Sequence, residues 1–183
     1  VEEFFHQAVT EALSAVDLEA SEPAGWYLVG LLGEFTTARV TDEPLGMKLA
    51  KAAYDGAPGQ RVRSLKEVGD TSLYMAGFFA ESLTRSLIDI DYYVGIGQSA
   101  YSQLARSLGA HKSIGEVYEE LAAKFPRFVD ALTAVRKRVT LAELNATNDI
   151  TRLYDIWLKT RDEWVEKKLR QAGLIVHGTK VIQ

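Results

Sequence analysis

Gly95-Ile96-Gly97-Gln98-Ser99-Ala100 has the spacing of a glycine-rich dinucleotide fingerprint, with Ala in the last place. In such a motif the glycines let a strand turn tightly, bring backbone close to a pyrophosphate and set the phosphate at a helix N-terminus. A second parallel strand bearing a ribose-binding acid should then follow. Here only Gly109-Ala110-His111-Lys112 and a capping sequence come next, so the expected role of Gly95 and Gly97 is close approach of another helix. Gly97-Gln98-Ser99-Ala100-Tyr101 also begins like a nucleophile elbow, but Tyr101 stands where the crowded turn needs glycine. Glu3-Phe4-Phe5-His6 has the Glu-x-x-His spacing of a carboxylate-bridged metal centre, yet the second copy that such a centre needs is absent. No cofactor and no metal site is expected, and His6 reads as a surface or boundary residue beside an acid.

Between Gly69 and Tyr93 acids, one arginine and aromatics mix in an apolar setting. At 100° per residue Asp70, Tyr74, Glu81 and Arg85 fall within about 60° of one another, and Glu81 to Arg85 has the favourable ion-pair order. They could line a polar pocket, but Arg63 and Glu67 share that side, which favours a solvated face. Asp89 and Asp91 read first as helix caps and second as acid-base groups. Tyr92, Tyr93 and Tyr101, with Phe78 and Phe79, form an aromatic boundary suited to an interface or a ligand, although Phe79 is expected in the core. The residues expected to meet a ligand or partner are therefore Asp70, Tyr74, Glu81, Arg85, Asp89, Asp91, Tyr92, Tyr93 and Tyr101.

The elements that position them read as helices. Phe5, Val9, Ala12 and Val16 mark the buried face of a first helix over residues 2–16. Ser21, Glu22 and Pro23 open a second, to about Val40, with Ser21 as N-cap; Trp26, Tyr27, Leu28, Val29, Leu31, Leu32 and Phe35 leave it almost no polar side. A third should start at Thr41-Asp42-Glu43-Pro44 and stop at Gly56, before the linker Ala57-Pro58-Gly59. A fourth spans about Gln60 to Leu83, with Val62, Leu65, Gly69, Leu73, Ala76, Phe79, Ala80 and Leu83 on one side.

Leu87 to Asp91 alternates like a strand, but a cap at Asp89 or Asp91 before a helix to about Leu108 is the favoured reading. Ser113-Ile114-Gly115-Glu116 is a capping box, Pro126 breaks or kinks the helix it starts, and a further helix runs to about Val139. Asn145 to Asn148 introduce a last long helix carrying Ile150, Leu153, Ile156, Trp157, Trp164 and Leu169, which Gly173 stops; residues 174–183 read as a tail.

Length and composition bound these readings. The 183 residues suffice for one domain with a sizeable core, and 47% hydrophobic with 25% charged residues exclude general disorder. The apolar stretch from Trp26 to Gly33 is far short of the roughly 20 residues that cross a bilayer. The start, Val1-Glu2-Glu3, is acidic where a secretory leader is basic, so a soluble, cytoplasmic protein is expected. Absence of cysteine excludes disulfides and thiolate chemistry. Net charge is −4, unevenly spread: residues 1–45 hold nine acids and one base. Arg136, Lys137 and Arg138 form only a short basic cluster, so neither nucleic acid nor membrane is an expected partner.

The expected fold is all-α, a single-domain bundle of seven or eight helices with short capped loops. The expected function is a protein-interaction or regulatory module, homo-oligomeric, using the Tyr-rich centre or the final Trp-bearing helix. The alternative is a small-molecule-binding or catalytic bundle with its pocket around residues 70–101.

Overall fold

A computed structural model describes residues 1–37, 45–54, 57–80, 89–109, 112–146 and 149–174. Among the described residues every regular element is a helix, nine in all, against the seven or eight expected. They are α1 (Glu2–Ala15), α2 (Glu22–Thr37), α3 (Leu45–Tyr54), α4 (Pro58–Phe78), α5 (Ile90–Ser107), α6 (Lys112–Ala123), α7 (Phe125–Ala146), α8 (Ile150–Thr160) and α9 (Glu163–Gln171). The chain divides into two compact units, residues 1–136 and 137–183.

In the first unit α4 lies along α5, α5 along α6, and α1 along α2; α3 packs on α4 and α5, and α2 reaches α4 and α6. α1 buries Phe5, Ala8, Val9 and Ala12, one stripe at helical spacing. It ends with Asp17 in the left-handed region (φ 52°), where the Leu18 N–H donates to the Leu13 carbonyl (3.0 Å) and the Asp17 N–H to the Ser14 carbonyl (3.1 Å). Ser21 caps α2 as expected, its Oγ accepting from the Ala24 N–H at 3.3 Å. Leu28, Val29, Leu31 and Leu32 of α2 are buried, consistent with its central place.

Glycines set the closest approaches. A Cβ at Gly69 would overlap the Tyr101 ring, one at Gly97 the Phe125 ring, and one at Gly77 the Leu132 side chain. Gly97 thus sits inside α5 as a packing residue, which overturns the strand-and-turn geometry of a dinucleotide site for this segment. Gly95 has open space around it and packs against nothing.

Several boundaries differ from the sequence reading, each for a local reason. Pro58 and Gly59 are not a linker: Pro58 takes the first position of α4, where its missing N–H costs nothing. Phe79 is exposed rather than in the core, because it forms the C-cap of α4, past the last packed turn. Asp89 is the N-cap of α5 as favoured, through its extended backbone and without a side-chain hydrogen bond. Ser113 is inside α6, which starts one residue earlier, so it is not a cap. Pro126 occupies the first turn of α7 after a single turn residue at Lys124. α7 continues beyond Val139 to Ala146, since residues 140–146 contain no helix breaker. Expectations at residues 41–44, Gly56, 81–88 and 175–183 lie outside the described residues.

After the end of α7 the second unit has two helices, α8 and α9, where one long helix was expected. Arg161, in the left-handed region (φ 52°), ends α8 with its N–H on the Trp157 carbonyl at 2.7 Å, and Asp162 is the N-cap of α9. On one continuous helix Leu153 and Leu169 would point about 160° apart. The break lets Leu153 and Trp157 face Val165 and Leu169 as a small buried core, with Ile156 and Leu174 beside it. Gly173 (φ 88°) ends α9 as expected, the Leu174 N–H donating to the Leu169 carbonyl at 2.9 Å.

Candidate functional site

The polar centre of the first unit is built on Asp70, in the middle of α4 and only 4% exposed. The hydroxyls of Tyr27 (α2) and Tyr101 (α5) donate to its Oδ1 at 2.5 and 2.8 Å, and the Lys66 ammonium, one turn earlier on α4, donates to its Oδ2 at 2.7 Å. Lys66 also lies 3.6 Å from Glu34 of α2. Tyr118 of α6 closes the group, edge-on to Tyr27 (5.4 Å between centroids) and 5.8 Å from Tyr101. Gly69 makes this possible, because Tyr101 lies against α4 where any side chain at position 69 would stand.

Burial decides the electrostatics. It pushes the Asp70 carboxyl up from its ordinary value, and Lys66 and the two tyrosine hydroxyls only partly oppose it. Burial and the neighbouring carboxylate also raise Tyr27 and Tyr101. For Lys66 partial burial pulls down, but Asp70 and Glu34 outweigh it and the ammonium is raised. Three donors occupy three of the roughly four lone-pair sites of the carboxylate. Asp70 is therefore suited to hold α2, α4 and α5 in register rather than to take a proton from a substrate.

The sequence reading of a solvated face fails at Asp70 while holding for Arg63 and Glu67, which are exposed. All three share one side of α4 by angle, but packing changes along the axis. At the earlier level Glu67 pairs with Lys48 of α3 (2.5 Å). One turn later α2 and α5 cover the helix. Tyr74 follows Asp70 by one turn and stacks on Phe35 (4.3 Å) and Phe78 (4.8 Å), with Phe79 edge-on at 5.8 Å. Burial raises its hydroxyl too.

Of the expected site residues, only Asp70 and Tyr101 meet in this network. Asp89, Asp91, Tyr92 and Tyr93 are at the start of α5, about 15 Å along the helix from Tyr101. There Asp89 and Asp91 are exposed, Tyr92 packs edge-on to Tyr93 (5.5 Å), and partial burial and Tyr92 raise the Tyr93 hydroxyl. Glu81 and Arg85 lie outside the described residues. Sequence reasoning missed Tyr27, Lys66 and Tyr118. The signal for Lys66 was its i,i+4 spacing to Asp70; for Tyr27 it was a hydroxyl on a helix otherwise apolar all round, which needs a buried acceptor.

The surface of the first unit carries two further features. The outer side of α3 presents Met47, Ala50, Lys51 and Tyr54, with Met47 56% and Tyr54 90% exposed. The Tyr92 hydroxyl comes within 3.2 Å of where a Cβ on Gly46 would stand, so 41%-exposed Tyr92 adjoins this face. Separately, α5 and α6 flank a groove of about 600 Å³ lined by Gln98, Ser102, Arg106 and Glu119, none of them an expected site residue. Among the described residues no group of three or more His, Asp or Glu side chains could hold a metal ion, and no helix is long and apolar enough to cross a membrane. No family model, curated protein or solved structure matches the chain.

Proposed function

We propose that this chain is a self-associating protein-interaction module that docks a second copy through the outer face of α3, extended by Tyr92. The observation that carries the reading is the pattern of that face. Leu45 and Ala52 of α3 are buried against α4 and α5, yet its solvent side repeats large or apolar groups at positions 47, 50 and 54. Lys51 is the only charge among the four residues of this stripe. A stripe with a single charge is largely self-complementary, since an antiparallel pairing sets Lys51 of one copy opposite Ala50 of the other. In an antiparallel two-fold pairing position 47 of one copy meets position 54 of the other, setting Met against Tyr, a favourable sulfur-aromatic pair.

The alternative, a small-molecule pocket around residues 70–101, has less support because Asp70, its central acid, is already committed to Tyr27, Tyr101 and Lys66. Sedimentation velocity over a wide concentration range tests the preferred reading. The expected result is a dimer that the double variant Met47→Glu, Tyr54→Glu converts to monomer with unchanged helical circular dichroism. A wild-type chain that stays monomeric throughout would remove the proposal.

A further inference from the structure

The hairpin of α1 and α2 carries a second, independent feature. His6, Val9, Thr10 and Leu13 form one wall of a groove of about 860 Å³, and Glu22, Gly25, Trp26 and Val29 form the other. Each set has the spacing i, i+3, i+4, i+7, so the groove follows two turns of both helices; residues 18–21 line it at the hairpin turn. Its floor is apolar, with Val9 and Val29 buried. Its width comes from Gly25, whose absent side chain would meet nothing within 4 Å. Trp26 is 46% exposed and lies against the His6 ring, centroids 4.4 Å apart.

The side chains that line this groove include two carboxylates, Glu19 and Glu22, and neither Lys nor Arg. Residues 1–37 contain seven carboxylates and neither Lys nor Arg. The cations that reach the hairpin turn serve its backbone: Lys124 donates to the Glu19 carbonyl (2.8 Å), and Arg127 to the carbonyls of Val16 and Asp17. Glu19 and Glu22, both lining the groove, are exposed and have no ion pair among the described residues. An apolar floor two helical turns long, with two exposed acids at its margin, matches an apolar helical stripe flanked by cations.

We propose that the α1–α2 groove binds a basic amphipathic helix of a protein partner, with Leu-type side chains over Gly25 and beside Trp26, and Lys or Arg toward Glu19 and Glu22. The acidic margin disfavours nucleic acid and anionic lipid. The surface is distinct from the α3 face, so loss of self-association would not remove this site.

The test uses the full chain and fluorescence anisotropy of a labelled peptide of Leu and Lys in amphipathic helical order. Two controls accompany it, a scrambled peptide of the same composition and a version with Glu for Lys. The ordered Lys peptide should bind and both controls should fail. Gly25→Leu should abolish binding while melting temperature and helical circular dichroism are kept, because the side chain enters open space. The surface double variant Glu19→Gln, Glu22→Gln should weaken binding about tenfold and flatten its salt dependence. Met47→Glu should leave it unchanged. Equal binding of the scrambled peptide, unchanged binding by Gly25→Leu, or failure of the ordered peptide to bind would each overturn the proposal. Displacement by a simple alkylamine as effectively as by the peptide would overturn the assignment of a helix as occupant.

Discussion

Asp70 and the pair Glu19 and Glu22 bring the same functional group into opposite surroundings. Asp70 is enclosed by α2, α4 and α5 and accepts three hydrogen bonds. Glu19 and Glu22 stand at the rim of the α1–α2 groove, exposed and without an ion pair among the described residues. A buried carboxylate whose lone pairs are occupied contributes to the definition of the fold and has little capacity left for a ligand. An exposed one contributes almost nothing to stability and keeps its field for a partner. The two proposed surfaces accordingly lie away from the enclosed polar centre of the first unit, on the α1–α2 hairpin and on α3.

The largest expected effect probes the buried side of that contrast. Asp70→Ala leaves the hydroxyls of Tyr27 and Tyr101 and the Lys66 ammonium without their acceptor, and should cost about 3–5 kcal/mol in urea unfolding. Glu19→Gln with Glu22→Gln should stay within about 0.5 kcal/mol of wild type. Similar costs for the two would mean that the hairpin acids are structural.

A second pair separates packing from sequence pattern. Gly97→Ala forces a methyl into the Phe125 ring and should cost about 1–3 kcal/mol. Gly95→Ala, two residues away in the same motif, fills open space and should stabilise by up to about 1 kcal/mol through helix propensity. Equal responses would show that the tight contact at Gly97 is not what selects glycine there.

Glu120 contrasts with Asp70, since its carboxylate accepts from both the amide and the hydroxyl of Ser21. Partial burial of Glu120 acts upward, but Ser21 and Lys124 outweigh it and hold the group below its ordinary 4.5. Its contribution is therefore present above 4.5 and is lost as pH falls through the lowered folded value. Asp70 has the opposite sign. Its folded value is raised above 3.8, so its contribution is complete below 3.8 and is lost as pH rises through the folded value. Acidification should narrow the stability difference between wild type and Glu120→Gln, and shift the difference between wild type and Asp70→Asn in favour of wild type. Urea midpoints across the acid range measure both, and parallel trends would break the assignment.

Ser21→Ala gives a modest loss, about 1 kcal/mol, because it removes the N-cap of α2 and one donor to Glu120. Combined with Glu120→Gln the losses should be less than additive. Strict additivity would mean that the bond between them carries no coupling.

Much of the helical architecture was legible because its signals are local. The stripe Phe5, Val9 and Ala12, the Ser21 cap, the Asp89 cap position and the Gly173 stop are each encoded within a turn or two of chain. The break at Arg161 and Asp162 was not, since neither glycine nor proline marks it; it follows from the gain in packing Leu153 and Trp157 on Val165 and Leu169. The site was legible only in part for the same reason. Asp70 and Tyr101 stood out by residue type, but their meeting depends on Gly69 and on Tyr27, from helices far apart in sequence.

The amino-acid order by itself determined that this protein is helical, where most of its helices start, and that its first 37 residues are acidic without a compensating Lys or Arg. Periodicity, caps and charge are properties of neighbouring residues, and a helix needs no distant contact to declare them. Only the tertiary structure decided which carboxylate is enclosed and which faces outward. Arg63, Glu67 and Asp70 share a side of α4 by angle, and their different fates depend on which other helices cross that side at each level.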